Sequence, residues 1–124
     1  MHIVHFEIMD ALSHLRYNPL RNESEKGFRF NFNMELAVCH IDEDSMLVTF
    51  MVPCVIRNEG EDYSEVVRSV NSRNHVGRLV EIDGSAVSAV SSFHVVKMGY
   101  VDTQVAFAIG DLNRLIEDFY RTIL

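Results

Sequence analysis

The sequence contains little proline and little cysteine, with 2 residues of each among 124. Because 48% of its residues are hydrophobic and only 23% are charged, the chain has enough apolar surface to offset the entropy lost on folding, and we expect a folded chain instead of a disordered one. Its length suits one domain, since a split would leave two undersized cores. We therefore predict a single domain over residues 1–124.

The sequence also lacks a long hydrophobic run. No apolar stretch approaches the roughly 20 residues that a helix needs to cross a bilayer. Residues 1–16 form an amphipathic segment in which histidine and acidic residues are mixed with apolar ones, unlike the charged and then apolar pattern of a secretory signal. These absences predict no membrane association and, by default, a cytoplasmic location.

Cationic residues are scarce relative to acidic ones: 11 Lys and Arg residues stand against 18 Asp and Glu residues, for a net charge of -7. Phosphate binding needs clustered cations that displace counterions. The nearest approach to a basic patch, residues 16–29, also contains Glu23 and Glu25, which cancel most of its field. The sequence therefore predicts no binding of DNA or RNA.

Motifs that carry enzyme chemistry are missing as well. The glycines are isolated, and no phosphate-binding loop of the GxGxxG or GxxxxGK type occurs. His2 and His5 share a helical face, but a catalytic zinc needs three protein ligands, and no HExxH or CxxC motif is present. Cys39 and His40 are adjacent on a predicted strand, so they point to opposite faces and cannot act together. We predict no enzyme activity, no metal and no cofactor.

The first segment has the spacing of a helix that lies on a core. Within about 100° of one helical face lie Val4, Ile8, Ala11, Leu12 and Leu15. Asn18-Pro19 then predicts the end of this helix, because the residue before a proline disfavours helical backbone. The polar residues that follow, up to residue 27, are expected to form a connecting loop.

The middle of the chain alternates between apolar and polar residues, which is the period of a β-strand. One side of residues 28–38 is predicted to carry Phe28, Phe30, Phe32, Met34, Leu36 and Val38. This stretch is long for one strand, so a bend or short turn near residues 31–33 is an alternative that would divide it into two strands. An acidic turn at residues 42–45 and an apolar run at residues 46–52 predict a hairpin.

The two cysteines, Cys39 and Cys54, do not face each other in this predicted hairpin. Folding about residues 42–45 places Cys54 opposite residue 32 or 33, roughly 20 Å along the strand from Cys39 at about 3.3 Å per residue. A disulfide needs Cα atoms within about 7 Å. We predict two buried, unpaired thiols, as expected in a reducing compartment.

The second half of the chain predicts a helix, a hairpin and a long helix. Asp62 begins a capping-box spacing, and the short helix after it is expected to end near Asn74. Asp83-Gly84 predicts a hairpin with a type I′ turn. Asp102 is a good cap for a long amphipathic last helix. Because the strands come in hairpins, the fold class is α+β, with a mainly antiparallel sheet and flanking helices.

Both terminal helices are apolar on more than one side. Ile3, Phe6 and Met9 lie off the main stripe of the first helix, and Phe107 projects to the opposite face of the last one. One explanation is a broad contact with the core. The other is a partner-binding surface, either a homodimer seam or a groove for another chain, because apolar patches beyond the core usually mark interfaces.

Several short patterns resemble those of the YbjN family, which is similar in fold to the class I type III secretion chaperones. Asn71 and Asn74 occupy the positions of its helix-ending VN-x-x-N pattern. The Asp83-Gly84 hairpin follows, and Asp118-Phe119-Tyr120 matches an acidic and aromatic pair in its last helix. The resemblance covers residues 62–124, about half of the chain.

The resemblance implies an α-β-β-β-α-β-β-α domain in which residues 28–38 form the first two strands. It further implies a small acidic cytoplasmic dimer without catalytic residues that binds another polypeptide or regulates a process by contact. We therefore predict a non-enzymatic protein-binding domain of chaperone-like or regulatory type. The alternative is a small-ligand sensor or enzyme with a pocket between the sheet and the helices, using His75 or His94.

Overall fold

The computed structural model of the protein describes residues 3–20, 26–73 and 75–124. In chain order the elements are α1 (Ile3–His14), β1 (Pro19–Leu20), β2 (Gly27–Phe32), β3 (Glu35–Asp42), β4 (Leu47–Arg57), α2 (Ser64–Asn71), β5 (Arg78–Asp83), β6 (Ala86–His94), a 3-10 turn (Met98–Tyr100) and α3 (Val101–Ile123). The strands form one antiparallel sheet in the order β1-β2-β3-β4-β6-β5. The predicted α+β fold is confirmed, with the two-residue β1 added at one edge.

All three helices lie on the same face of the sheet. The long α3 packs against β4 and β6, while α1 and α2 flank it and also contact the edge strands β1 and β5. The core between the two layers contains Phe28, Phe30, Phe32, Phe50, Leu112, Leu115 and Phe119. Within the described ranges, no helix is both long enough and apolar enough to cross a membrane.

A tight turn divides the alternating stretch into β2 and β3. Asn33 and Met34 form it, with φ angles of 50° and 71°. In an antiparallel pair joined by a two-residue turn, even-numbered residues of one strand face odd-numbered residues of the other. Phe30 therefore pairs with Ala37. The residues of β3 that reach the core are Ala37, Cys39 and Ile41. The prediction that Met34, Leu36 and Val38 share the face of the phenylalanines is wrong for this reason.

The cysteines are unpaired, as predicted, but only one of them is buried. Cys39 faces Phe50 across the hairpin, and burial raises the pKa of its thiol. Cys54 lies in a β-bulge between Val52 and Ile56, next to Pro53. A bulge re-aims the side chains of its strand, and proline within a sheet is found at such irregularities. Cys54 is consequently exposed, and its predicted burial is wrong.

Helix α1 ends earlier than predicted. Val4, Ile8, Ala11 and Leu12 are buried as predicted, but Arg16 adopts a left-handed conformation with a φ of 68°. The N–H of Tyr17 then donates to the carbonyl of Leu12 (2.9 Å), a bond typical of helix ends. The helix therefore stops at His14, before Asn18-Pro19. Leu15 follows this end and is 39% exposed, contrary to its predicted place in the core.

The predicted starts of α2 and α3 are each displaced. Asp62 accepts hydrogen bonds from the backbone N–H and the hydroxyl of Ser64 (2.9 and 2.7 Å), but Tyr63 is the cap residue. These bonds hold the pKa of Asp62 below its usual value. Helix α2 ends at Asn71, and Asn74 lies outside the described residues. Helix α3 begins at Val101, because the 3-10 turn leads directly into it, so Asp102 lies in its first turn.

The Asp83-Gly84 hairpin is present, but its turn differs from the prediction. Neither residue has a positive φ, which a type I′ turn requires. Instead the carboxylate of Asp83 accepts a hydrogen bond from the N–H of Ser85 (3.0 Å), as in an Asx turn. The register also shifts between Glu81 and Asp83. Because of this shift, the two strands are joined by the Asx turn at Asp83 and not by the predicted type I′ turn.

The outer edge of β5 is occupied by a side chain from α2. The Nδ2 group of Asn71 donates to the carbonyl of Leu79, and the N–H of Leu79 donates to Oδ1 of Asn71, both at 2.8 Å. An edge strand otherwise offers these groups to another chain. Asn71 therefore satisfies the edge at Leu79 in the way that a neighbouring strand would.

Candidate protein-interaction surfaces

The predicted partner-binding residues lie on two separate surfaces. Phe6 is 59% exposed and Phe107 is 57% exposed, whereas Met9 is partly buried against the core. The side chain of Ile3 lies outside the described residues. Helix α1 packs against α3. The chain just after α1 reaches α3 at Asn113, whose side chain contacts the hydroxyl of Tyr17. At 100° per residue, Phe107 lies about 120° around α3 from Asn113, on another side of the helix.

Phe107 borders a shallow apolar groove at the N-terminal half of α3. The groove encloses about 300 Å³. It forms where β6 continues beyond the start of β5, since the register of the two strands begins at Arg78 and Val90. Its lining consists of Val76, Ser91, Ser92, Phe93, Thr103, Gln104, Phe107 and Ala108. The guanidinium of Arg114 lies 6.0 Å from the centre of the Phe107 ring.

A buried carboxylate holds one wall of this groove in place. Asp111 is 2% exposed and accepts hydrogen bonds from the N–H groups of Val76 and Gly77 and from the hydroxyl of Ser91. An added Cβ at Gly77 would lie 2.4 Å from the carbonyl oxygen of Val90, so only glycine fits there. The segment that carries Val76 is therefore anchored to α3 beside Phe107.

The side of the sheet that faces away from the helices is a second candidate surface, which we call the open face. Its residues include Arg29, Leu36, Val38, His40, Thr49, Met51, Arg78, Val80, Val90 and Ser92. Ser92 and Thr49 lie side by side on it, with a hydrogen bond of 3.0 Å between their hydroxyl groups. Leu36 is 47% exposed and Val80 is 40% exposed. A solvated sheet face is usually polar, and this one is partly apolar.

Sequence reasoning missed the open face because it assigned Leu36 and Val38 to the core. The signal was the asparagine at residue 33, which tolerates the left-handed conformation that a two-residue turn needs. A turn placed there reverses the alternation in β3. It then sends Leu36 and Val38 to the same side as Met51, which is the observed arrangement.

A larger cavity of about 490 Å³ lies between the sheet and the C-terminal half of α3. Its lining combines apolar residues with Asn33, Glu35, Asn113, Glu117, Tyr120 and Arg121. The hydroxyl of Tyr120 donates to the carbonyl of Val55 (2.6 Å), and burial followed by the charge of Glu35 raises the pKa of this tyrosine. A cavity of this size can hold a small molecule.

The two histidines assigned to a ligand pocket do not line this cavity. The Nε2 atom of His75 lies 2.9 Å from a carboxylate oxygen of Asp118, whose other oxygen binds Arg73. These contacts, led by the His75 bond, lower the pKa of Asp118 and tie the segment after α2 to α3. His94 is exposed, and its carbonyl accepts a hydrogen bond from Gln104 (2.7 Å). The structure thus places both histidines outside the predicted pocket.

The chemical groups considered from the sequence are not assembled into a catalytic set. Cys39 is buried on the helix-covered side of β3 and His40 is exposed on the open face, which confirms that they point apart. Across the described part of the chain, no three His, Cys, Asp or Glu side chains form a group that could hold a metal ion. Exposed apolar side chains that a partner could contact lie at the groove beside Phe107, on the exposed side of α1 and on the open face.

Comparisons with known proteins support the fold assignment. No family model matches the sequence, and no curated protein matches it. Among solved structures, the chain is similar to YbjN, a candidate transcription regulator from E. coli, with a TM-score of 0.60 and 12% sequence identity. The match covers 86% of this chain and 84% of that chain. The fold is therefore YbjN-like over most of the chain, as the patterns in residues 62–124 implied.

Proposed function

We propose that this protein is a non-enzymatic protein-binding domain of regulatory or chaperone-like type that acts as a homodimer in the cytoplasm. The observation that carries the proposal is Phe107, a large aromatic side chain that stays 57% exposed beside an apolar groove. Exposed aromatic residues next to pockets are typical anchors of protein interfaces. YbjN, which has a similar fold, is described as a candidate regulator, and regulation by contact fits such a surface.

A glycine near Phe107 supports self-association through α3. Gly110 lies within this helix, where glycine costs about 1 kcal/mol relative to alanine. An added Cβ there would meet only the guanidinium of Arg114, at 3.4 Å, so no contact within the described chain requires glycine. Close approach of a second α3 would explain it. Ile3, Phe6 and Met9 on α1 are the competing seam.

The oligomeric state of matched variants distinguishes the two seams. Phe107→Glu places a charge at the proposed seam and is expected to convert the dimer to a monomer, with unchanged circular dichroism because Phe107 is outside the core. Phe6→Glu makes the same change at a side chain of almost equal exposure and is expected to leave the dimer intact. Sedimentation velocity measures both. A monomeric native protein, or a dimer lost only in Phe6→Glu, contradicts the proposal.

The second candidate function is a small-ligand sensor that uses the cavity between the sheet and α3. The volume of about 490 Å³ favours it. A ligand that prefers the folded state raises the melting temperature, so a thermal-shift screen of metabolites measures this directly. A hit that is lost in Ile116→Trp, which fills the cavity, supports the sensor. Absence of any shift contradicts it.

A further inference from the structure

The centre of the open face is a continuous apolar row. Val38 pairs with Met51, and Met51 pairs with Val90, so these three side chains lie beside one another across three strands. All three are partly exposed. Arg29 and Arg78 pair with the two ends of the row. With strands about 4.8 Å apart, the two arginine Cα atoms are about 19 Å from each other.

The charge of this face is opposite to that of the molecule as a whole. The chain carries a net charge of -7, yet the row and its immediate neighbours present cations and no carboxylate. The acidic residues on this side, Asp42 and Asp83, lie at strand ends, and Asp83 is 3.9 Å from the guanidinium of Arg57. An apolar centre with a cation on each side is complementary to an apolar stripe with acids on each side.

The dimensions of the face suit one segment of chain. The row and the residues above and below it cover about 250 Å², estimated from strand spacing and rise. A stable interface between folded proteins buries about 800 Å² on each partner. A helix laid along the strands is about 10–12 Å across with its side chains, so residues on its two flanks lie beside Arg29 and Arg78. Strand addition at β5 is obstructed, because Asn71 occupies both backbone groups of Leu79.

Two other occupants fit less well. A second copy of the chain placed by a two-fold axis through Met51 sets an arginine against an arginine at the ends of the row when the axis runs along the row or along the strands. Single-stranded nucleic acid binds on aromatic platforms. Among the described residues of the open face there is no phenylalanine, tyrosine or tryptophan.

We propose that the open face binds an acidic amphipathic helix of another polypeptide, with its apolar stripe on Val38, Met51 and Val90 and its acidic flanks on Arg29 and Arg78. The inference rests on the proposed function only in taking the chain to be a protein-binding domain. It is independent of the dimer seam at Phe107.

A designed peptide tests this binding. The probe has about 18 residues, or about 27 Å of helix, with leucines and one tryptophan along one face and glutamates elsewhere. Because the protein has no tryptophan, the peptide fluorescence reports binding directly. Saturable binding that weakens as salt is added is expected. A peptide with lysines in place of the glutamates is expected to bind at least tenfold more weakly.

Variants of the protein locate the site. Met51→Lys is expected to weaken binding of the acidic peptide at least tenfold, and Met51→Leu to preserve it. The double variant Arg29→Glu with Arg78→Glu is expected to reverse the preference, so that the lysine peptide binds more tightly. The control double variant Arg16→Glu with Arg121→Glu makes the same charge change at exposed residues after α1 and in α3 and is expected to leave the preference unchanged. Circular dichroism establishes that each variant is folded.

Several results would overturn the inference. These are absence of binding at millimolar peptide, equal binding of both peptides, or acidic-peptide binding that survives Met51→Lys and the double variant. Displacement of the peptide by a single-stranded oligonucleotide assigns the face to nucleic acid, and a dimer lost in Met51→Lys assigns it to a second copy. Phe107→Glu is expected to retain peptide binding while losing the dimer, so failure of the seam and failure of the open face are distinguishable.

Discussion

The two faces of the sheet are built from alternate residues of the same strands and have opposite properties. On the helix-covered face, Phe30 and Phe50 are fully buried, and their ring centroids are 5.8 Å apart in an edge-to-face contact. On the open face, Val38 and Met51 are partly exposed, and no phenylalanine, tyrosine or tryptophan occurs among the described residues of that face. The largest apolar side chains therefore lie where the helices cover them, and medium-sized ones lie where a partner is expected.

Adjacent serines of β6 show the same contrast for polar groups. Ser91 points toward the helices and donates to the buried carboxylate of Asp111 (3.1 Å). Ser92 points to the open face and bonds Thr49. If a hydroxyl on the covered face loses its hydrogen-bond partner, no water can take the place of that partner. On the open face, water can form the replacement hydrogen bond. The comparison predicts that neighbouring residues differ sharply in their contribution to stability.

The largest expected difference is between Phe50 and Met51. Phe50→Ala opens a cavity beside Phe30 and Phe93 and is expected to lower the free energy of unfolding by about 3–5 kcal/mol. Met51→Ala, one residue further along β4, is expected to lower it by less than about 1 kcal/mol because the side chain is partly exposed. Urea denaturation measures both. Similar losses would mean that the open face is covered in the folded protein.

A smaller difference is expected between Ser91 and Ser92. Ser91→Ala removes a buried hydrogen bond to Asp111 and is expected to cost about 1.5 kcal/mol. Ser92→Ala removes only the contact with Thr49 and is expected to change stability by less than about 0.5 kcal/mol. The same denaturation experiment measures the pair. If Ser92→Ala is the more damaging change, the assignment of the two faces is wrong.

The two cysteines compare the covered and exposed parts of the sheet through the reactivity of their thiols, without any measurement of stability. A thiol reagent such as Ellman's reagent is expected to modify Cys54 in the native protein and to reach Cys39 only after denaturation, because burial shields Cys39 and raises the pKa of its thiol. Cys54→Ser is expected to abolish the native reaction without altering the unfolding curve. Two equivalents of native reaction would show that the covered face opens readily.

Local patterns predicted the order of elements correctly, while errors arose at the points where strands and helices end. The helical spacing of Val4 and Ile8 identified the core face of α1, but a left-handed Arg16 stopped that helix before its predicted end. The alternation through residues 28–38 identified strand, but Asn33 and Met34 reversed its phase. One residue with positive φ changes the chain direction without altering the hydrophobic pattern, so the pattern alone does not locate it.

The candidate surfaces were predicted less completely than the fold. Phe107 was recognised as lying off the stripe of α3, and it is exposed. The open face was missed, because its row comes from three strands that are distant in sequence and meet only through the register. Phe6 and Phe107 were both predicted to bind a partner, but they do not share a surface: Phe6 lies on α1, and Phe107 lies on the side of α3 that α1 does not cover.

The amino-acid sequence by itself determined the α+β class, the hairpins and the apolar stripes of the helices, because these depend on propensity and spacing within a few residues. Only the tertiary structure decided which side of each strand is covered, which cysteine is buried, and that Arg29 and Arg78 flank a shared apolar row. Those features depend on register, on a bulge at Pro53 and on the placement of helices over one face. They arise from contacts between residues far apart in the chain, which local patterns do not encode.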